Sequence, residues 1–199
     1  MALLALPRIT SALARRAFTI LHPCCTVHLN RGNNEMENNK IIIDTAVKIA
    51  NSGIIKLPDI EVRTSAGNVK LLSECISEEA LLVYLQDASC SSCTQKGLNL
   101  LSEIFHGLET KVVILSNYPS SRVLRIMENN YKFHFLAVGQ YYQTGDFFVE
   151  NIACVCDSDM QAPNCFKSSF ENSEIDGWRL YFSMVRKRFL GNTIDQRCI

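Results

Sequence analysis

Two cysteines with two residues between them, Cys90 and Cys93, are the side chains of this sequence best placed to do chemistry. Before them comes an apolar run, Leu81 to Leu85, and a short polar break. After them, Leu98, Leu101, Ile104 and Phe105 recur at helical spacing within Thr94 to Phe105. The pattern predicts a buried strand, a tight connection, and a helix whose first turn carries the pair. A helix's first turn has unpaired backbone N–H groups and the positive end of the macrodipole, so it favours a thiolate over a thiol. Cys90 is then the nucleophile. Cys93, three residues on and on the same face, is the resolving thiol that attacks a mixed disulfide formed at Cys90. Such a pair is the working unit of a thiol–disulfide oxidoreductase that reduces or exchanges protein disulfides and needs no cofactor. Asp87, three residues before Cys90, is either a proton relay to Cys93 or an ordinary carboxylate favoured by the helix dipole.

Two other readings of the pair stand beside this one. Cys-x-x-Cys is also half of a zinc site, or two small buried hydrophobes. Zinc needs two further ligands, and the nearest pair is Cys154 and Cys156. These alternate along an apparent strand, so their side chains point the same way and suit a core. Cys75 reads as a semi-buried hydrophobe. His106 and His134 have no motif around them and read as surface or partly buried residues.

Composition sets the class. The chain has 199 residues, 47% hydrophobic and 20% charged, enough for one well-buried core. Lys+Arg and Asp+Glu both number 20, so no net field draws in nucleic acid or an anionic membrane. Nine cysteines is an odd number, which cannot all pair within one chain and fits neither a disulfide-stapled miniprotein nor a metal cluster.

The first 34 residues contain no acid, and Arg8, Arg15, Arg16 and Arg31 are scattered among small and apolar residues. Residues 1–38 therefore read as a leader, disordered or targeting, with Met36 an alternative start. Residues 39–191 read as the folded domain and 192–199 as a frayed tail exposing Cys198. The run Ala17 to Leu21 ahead of His22-Pro23-Cys24-Cys25 admits a lipid anchor through Cys24 or Cys25. That would place the protein in the cell envelope or periplasm, the alternative being cytoplasmic. No segment reaches the ~18 apolar residues that span a membrane.

Within the domain, Ile41 to Asn51 is expected to be helical and Gly53 to end it. Ile54 to Leu57 and Ile60 to Thr64 read as extended. The latter forms a hairpin with Val69 to Leu72 across a turn at Ser65 to Asn68. Ser73 to Glu79 reads as a polar link. Lys111 to Ser116 is a second buried strand, expected to lie parallel to Leu81–Leu85 at the centre of the sheet. Helix Arg122 to Asn130 follows, with Arg122 and Arg125 as surface charges. Tyr131 to Val138 is a strand or a short helix, and Gln140 to Gly145 a polar loop. Phe147 to Asp157 and Asn164 to Phe170 are expected as an antiparallel hairpin about a turn at Ser158–Gln161. A last helix, Ile175 to Leu190, puts Trp178, Tyr181, Phe182, Val185 and Phe189 on one side and stops at Gly191-Asn192.

A β-hairpin, then β–α–β, then an antiparallel hairpin and a final helix resembles the thioredoxin-like layout of the AhpC/TSA and TlpA-type redoxins. The matching residues are Leu57-Pro58-Asp59-Ile60 with Gly67 and Leu71-Leu72-Ser73, the strand running into Ser89-Cys90-Ser91-Ser92-Cys93, and Val155-Cys156-Asp157-Ser158-Asp159-Met160. More closely, Leu57 to Phe189 resembles small thioredoxin-like lipoproteins of Gram-negative anaerobes. There a Cys-x-x-Cys helix is followed by a strand ending near a tyrosine (Ser116-Asn117-Tyr118), an Arg-rich helix ending in Asn, and an Asp-x-Asp-Met hairpin. The resemblance implies an α/β three-layer sandwich, its mixed central sheet flanked by helices. It also implies a dithiol at Cys90 and Cys93 acting on a protein disulfide substrate or redox partner. The sequence departs from thioredoxins at Ser89, where an aromatic is usual, and near Glu150-Asn151-Ile152, where a proline is expected opposite the dithiol. A peroxidase site would need Pro and Thr just before the cysteine, and Gln86 to Ser89 supplies neither. The competing function is a non-catalytic thioredoxin-fold binding or structural module.

Overall fold

The computed structural model describes residues 34–86, 91–118, 120–139 and 150–195. Residues 1–33, most of the expected leader 1–38, lie outside these residues, as do Asp87, Cys90, 140–149 and 196–199. Helix α1, Asn34–Ser52, starts earlier than the apolar pattern beginning at Ile41 suggests. It buries Thr45 and Ile49 and leaves Ile43 and Val47 exposed. Gly53 ends it as expected, at φ +63°, a conformation that costs a glycine little.

Strand β1, Ile54–Lys56, leads to the hairpin of β2, Glu61–Thr64, and β3, Val69–Leu71. Its turn is closed by Thr64 N–H donating to Asn68 O at 2.9 Å, with Gly67 at φ +91°. The expected polar link opens with a one-turn helix, α2, Leu72–Cys75. Asp59 holds that turn, accepting from Ser73 N–H at 2.9 Å and from the Ser73 hydroxyl at 2.8 Å. The Pro-Asp and Leu-Leu-Ser motifs noted in the sequence thus meet at one carboxylate.

Next come β4, Ala80–Leu85, α3, Ser91–Ile104, and β5, Val112–Ser116. Helix α4, Ser121–Tyr131, is capped by Ser120, whose hydroxyl accepts from Val123 N–H at 3.3 Å. The undecided stretch 131–138 resolves as the end of α4, a left-handed Lys132 at φ +64°, and strand β6, His134–Val138. Then follow β7, Ile152–Cys156, β8, Gln161–Pro163, β9, Phe166–Lys167, and α5, Ile175–Asp195. Gly191 does not stop α5. It is not among the glycines with positive φ, and without the left-handed conformation a glycine only weakens a helix.

Seven strands form one mixed sheet in the order β3-β2-β6-β5-β4-β7-β9. β4 and β5 pair in parallel at its centre, Leu81 opposite Val112 through Leu85 opposite Ser116, as the sequence predicts. β6 continues the parallel set, and β7 runs antiparallel on the other side of β4. The expected 147–170 hairpin is interrupted. Met160 and Asn164 both sit at φ +60°, and between these two bends Gln161–Pro163 leaves the sheet to pair with β1 as a separate two-stranded ribbon. Asp157 makes the first bend by accepting from the N–H groups of Asp159 and Gln161 at 3.0 and 3.1 Å. The chain rejoins the sheet at β9, where Ile152 pairs with Lys167.

Strand alternation gives the sheet two apolar faces. Leu81, Val83, Leu85, Val112, Ile114, Phe135 and Val155 meet Leu98, Leu101, Leu124, Trp178 and Phe182, so α1, α3, α4 and α5 cover one face. Leu82, Tyr84, Leu115, Leu136, Cys154 and Cys156 meet Leu57, Leu72, Ile76 and Ala162 under the ribbon and α2. This is the expected thioredoxin-like α/β layout: hairpin, β–α–β, antiparallel strands, final helix. Strands buried on both faces read as continuous apolar runs, which is why β4 and β5 were legible.

Candidate dithiol site

Helix α3 carries Cys93, the cysteine expected from the sequence to be the resolving thiol. It begins at Ser91, the residue after Cys90, close behind the end of β4 at Leu85. Leu98 and Leu101 bury its inner face, and Gly97 brings it so near Phe170 that an added Cβ would lie 2.9 Å from two ring carbons. Cys93 is a free, partly buried thiol packed against the helix-side core. Cys90 and Asp87 lie outside the described residues.

The surroundings of this helix start are built by neighbouring strand ends. β4 and β5 finish level, Leu85 beside Ser116, and Tyr118 packs partly buried against the same core as Cys93. The Tyr84 hydroxyl lies 3.3 Å from Asn117 Oδ1 on the other face. At the head of β7, where a redoxin's proline is expected, stands Asn151. It is buried, its Oδ1 accepts from Gln86 N–H at 2.8 Å, and its carbonyl accepts from Ser168 N–H at 3.3 Å. One side chain therefore fixes the last described residue of the β4 segment against β7 and β9. Sequence reasoning missed this role; its only signal is a polar residue directly before an apolar strand.

The other cysteines are elsewhere. Cys154 and Cys156 lie on β7, each 1% exposed, on the ribbon side of the sheet, whereas Cys93 packs on the helix side. The sheet separates them, so they do not complete a zinc site with Cys93. Among the described residues no group of three or more His, Cys, Asp or Glu could hold a metal. Burial, aided by Asp157, pushes the Cys156 thiol up to about 12. Burial also raises half-buried Cys75. His106 is exposed beside Glu109, and His134 Nδ1 lies 3.2 Å from Glu128 Oε1 at the start of β6, both as expected of surface residues. Arg122 and Arg125 are exposed on α4, Arg125 donating to Ser65 O at 3.3 Å.

No family profile and no curated protein matches the chain. Among solved structures, it is similar to the peroxidoxin BcpB of Mycobacterium tuberculosis, at 16% identity and TM-score 0.46, over 68% of this chain and 96% of that one. It is similar to a thio-disulfide isomerase of Thermus thermophilus at 15% identity and TM-score 0.44, over 63% and 93%. A third is copper-bound ScoI of Arabidopsis thaliana, at 12% identity and TM-score 0.45, over 67% and 99%.

Proposed function

We propose that this chain is a thiol–disulfide oxidoreductase that reduces or exchanges disulfides of a protein partner through Cys90 and Cys93. The observation that carries the reading is the junction at the sheet's centre: β4 ends at Leu85 beside its parallel neighbour β5, and the helix bearing Cys93 starts one residue after Cys90. In open α/β sheets the ends of parallel strands and the starts of the following helices are where chemistry gathers. The Cys90 thiolate attacks one sulfur of the substrate disulfide, that S–S bond breaks, and the departing thiolate takes a proton from water. Cys93 then gives up its proton, attacks the Cys90 sulfur and expels the second substrate thiol. Two electrons pass to the substrate and a Cys90–Cys93 disulfide remains. Asp87 is the candidate acceptor for the Cys93 proton.

A second reading is favoured by Asn151. The position that in redoxins offers a proline to a bound substrate chain here holds a side chain engaged with Gln86 N–H. That arrangement suits a thioredoxin-fold binding module whose cysteines do no chemistry. A redox titration of the pair with an insulin-type disulfide substrate separates the two. On the enzymatic reading Cys90→Ser abolishes reduction, and Cys93→Ser accumulates a mixed disulfide with the substrate. Unchanged turnover in both variants, or a Cys90 no faster to alkylate than a free thiol, leaves the binding module.

The cell-envelope location belongs to the same proposal, with a lipid on Cys24 or Cys25 as the anchor. No described helix is long and apolar enough to cross a membrane. Incorporation of labelled fatty acid into the full chain, lost in a Cys24→Ser/Cys25→Ser variant, is the expected result; label retained in that variant removes the anchor.

A further inference from the structure

We infer that Cys154 and Cys165 form a second, buried dithiol that a small hydroperoxide closes into a cross-strand disulfide, independently of Cys90 and Cys93. The register carries the argument. Ile152 pairs with Lys167 and Ala153 with Phe166, so the next position sets Cys154 opposite Cys165. Ser168 N–H donates to Asn151 O at 3.3 Å, which makes Asn151 and Ser168 a hydrogen-bonded pair of this antiparallel ladder. Such pairs alternate with non-hydrogen-bonded ones, and counting down the ladder puts Cys154 and Cys165 at a non-hydrogen-bonded position. At such positions of a regular ladder, opposed Cα atoms stand about 4.5 Å apart with their side chains close, inside the span that a disulfide bridges.

The side chains agree with the register. Both residues belong to the ribbon-side core, Cys154 1% and Cys165 0% exposed, and both are free thiols. The Cys165 thiol donates to Ala162 O at 3.5 Å. The neighbouring Cys154 thiol, helped by Lys167, draws the Cys165 thiol below its usual value against the opposing effect of burial, while Cys154 is held well above its own. We assign the attack to Cys165 from its place at the edge of the sheet. It lies in the bend between β8 and β9, after left-handed Asn164, under a ribbon of two three-residue strands. Brief opening of so small an element admits a small neutral oxidant and excludes a bulky one.

The chemistry balances without a cofactor. The Cys165 thiolate attacks the hydroperoxide, the O–O bond breaks, and a sulfenic acid forms while the departing oxygen takes a proton as water or alcohol. The Cys154 sulfur then attacks that sulfur, the S–O bond breaks, and water leaves with the Cys154 proton. The two sulfurs together lose two electrons to the peroxide.

The test uses the full chain, folded, as wild type and as a Cys90→Ala/Cys93→Ala variant. Each is exposed to hydrogen peroxide, quenched, alkylated in urea without reductant, and cut by an aspartate-directed protease at Asp157 and Asp159. The expected result, in both chains, is that the fragments holding Cys154 and Cys165 stay joined until dithiothreitol is added, with the bond sequenced to Cys154 rather than Cys156. Joined fragments should persist in Cys156→Ala, and oxidised glutathione in place of peroxide should leave them apart. Separate, fully alkylated fragments after peroxide would overturn the inference. So would a bond mapped to Cys156, or one formed only when Cys90 and Cys93 are present.

Discussion

Asn151 ties the site to the sheet with a single side chain. Its amide oxygen is the acceptor for the part-buried Gln86 N–H, and removing an acceptor from such a donor costs up to about 1–3 kcal/mol. Asn151→Ala should therefore lower the unfolding free energy by an amount in that range, read as a lower urea midpoint at unchanged m-value, while Asn151→Asp keeps the acceptor and loses less. Glu174 acts on pH dependence in a comparable way. Its carboxylate accepts from Lys48 Nζ and from the Ser168 hydroxyl, each at 2.6 Å, and these bonds hold it below the usual carboxylate range. A folded pKa below the unfolded value of ~4.3 adds stability above that pH, lost as the pH falls through the lower folded value. Unfolding midpoints of wild type and Lys48→Met should thus differ at pH 6 and draw together on acidification below about 4.

Helix α3 shows how an element is placed by what it lacks. Gly97 weakens the helix by roughly 1 kcal/mol relative to alanine, yet a Cβ there meets the Phe170 ring at 2.9 Å. Phe170 cannot swing aside, being 1% exposed and stacked on Trp178 with ring centroids 4.4 Å apart. Overpacking of this kind costs about 1–3 kcal/mol, more than the helix propensity returns. Gly97→Ala should lower thermal stability and change the alkylation rate of Cys93, which rides the same helix. A neutral or stabilised variant would show that α3 and Phe170 are not in close contact. The ion pair of Arg179 with Glu103, at 2.7 Å between exposed groups, joins α5 to α3 but is worth little by comparison.

The helix-side core is one aromatic assembly. Trp178, fully buried, lies 4.7 Å from Phe166 edge to face and 5.2 Å from Phe182, and its indole N–H donates to Ser169 O at 2.8 Å. Phe105 extends the assembly to Phe182 and Phe189, at 6.0 and 6.4 Å, so sheet, α3 and α5 share a single packed unit. Trp178→Ala removes its centre and should cost about 3–5 kcal/mol. Because Trp178 is the only tryptophan in the sequence, its fluorescence should follow unfolding of the whole domain. Denaturation curves from fluorescence and far-ultraviolet circular dichroism are expected to coincide, and separated transitions would show that the helix layer opens before the sheet.

The sequence alone determined the parts whose physics is local. Continuous apolar runs marked β4 and β5, helical periodicity marked α3 and the apolar side of α5, and Ser65–Asn68 marked a turn. The spacing of Cys90 and Cys93 marked the candidate dithiol that the proposed function rests on. What tertiary structure decided was non-local. Stretch 131–138 became a strand because β5 and β2 offered it edges on both sides. Gln161–Pro163 left the expected hairpin because two left-handed residues turned it towards β1, and neither Met160 nor Asn164 announces that conformation as a glycine would. Asn151 reaches Gln86 across a separation of 65 residues. Cys154 meets Cys165 because a strand register, rather than a spacing, puts them face to face.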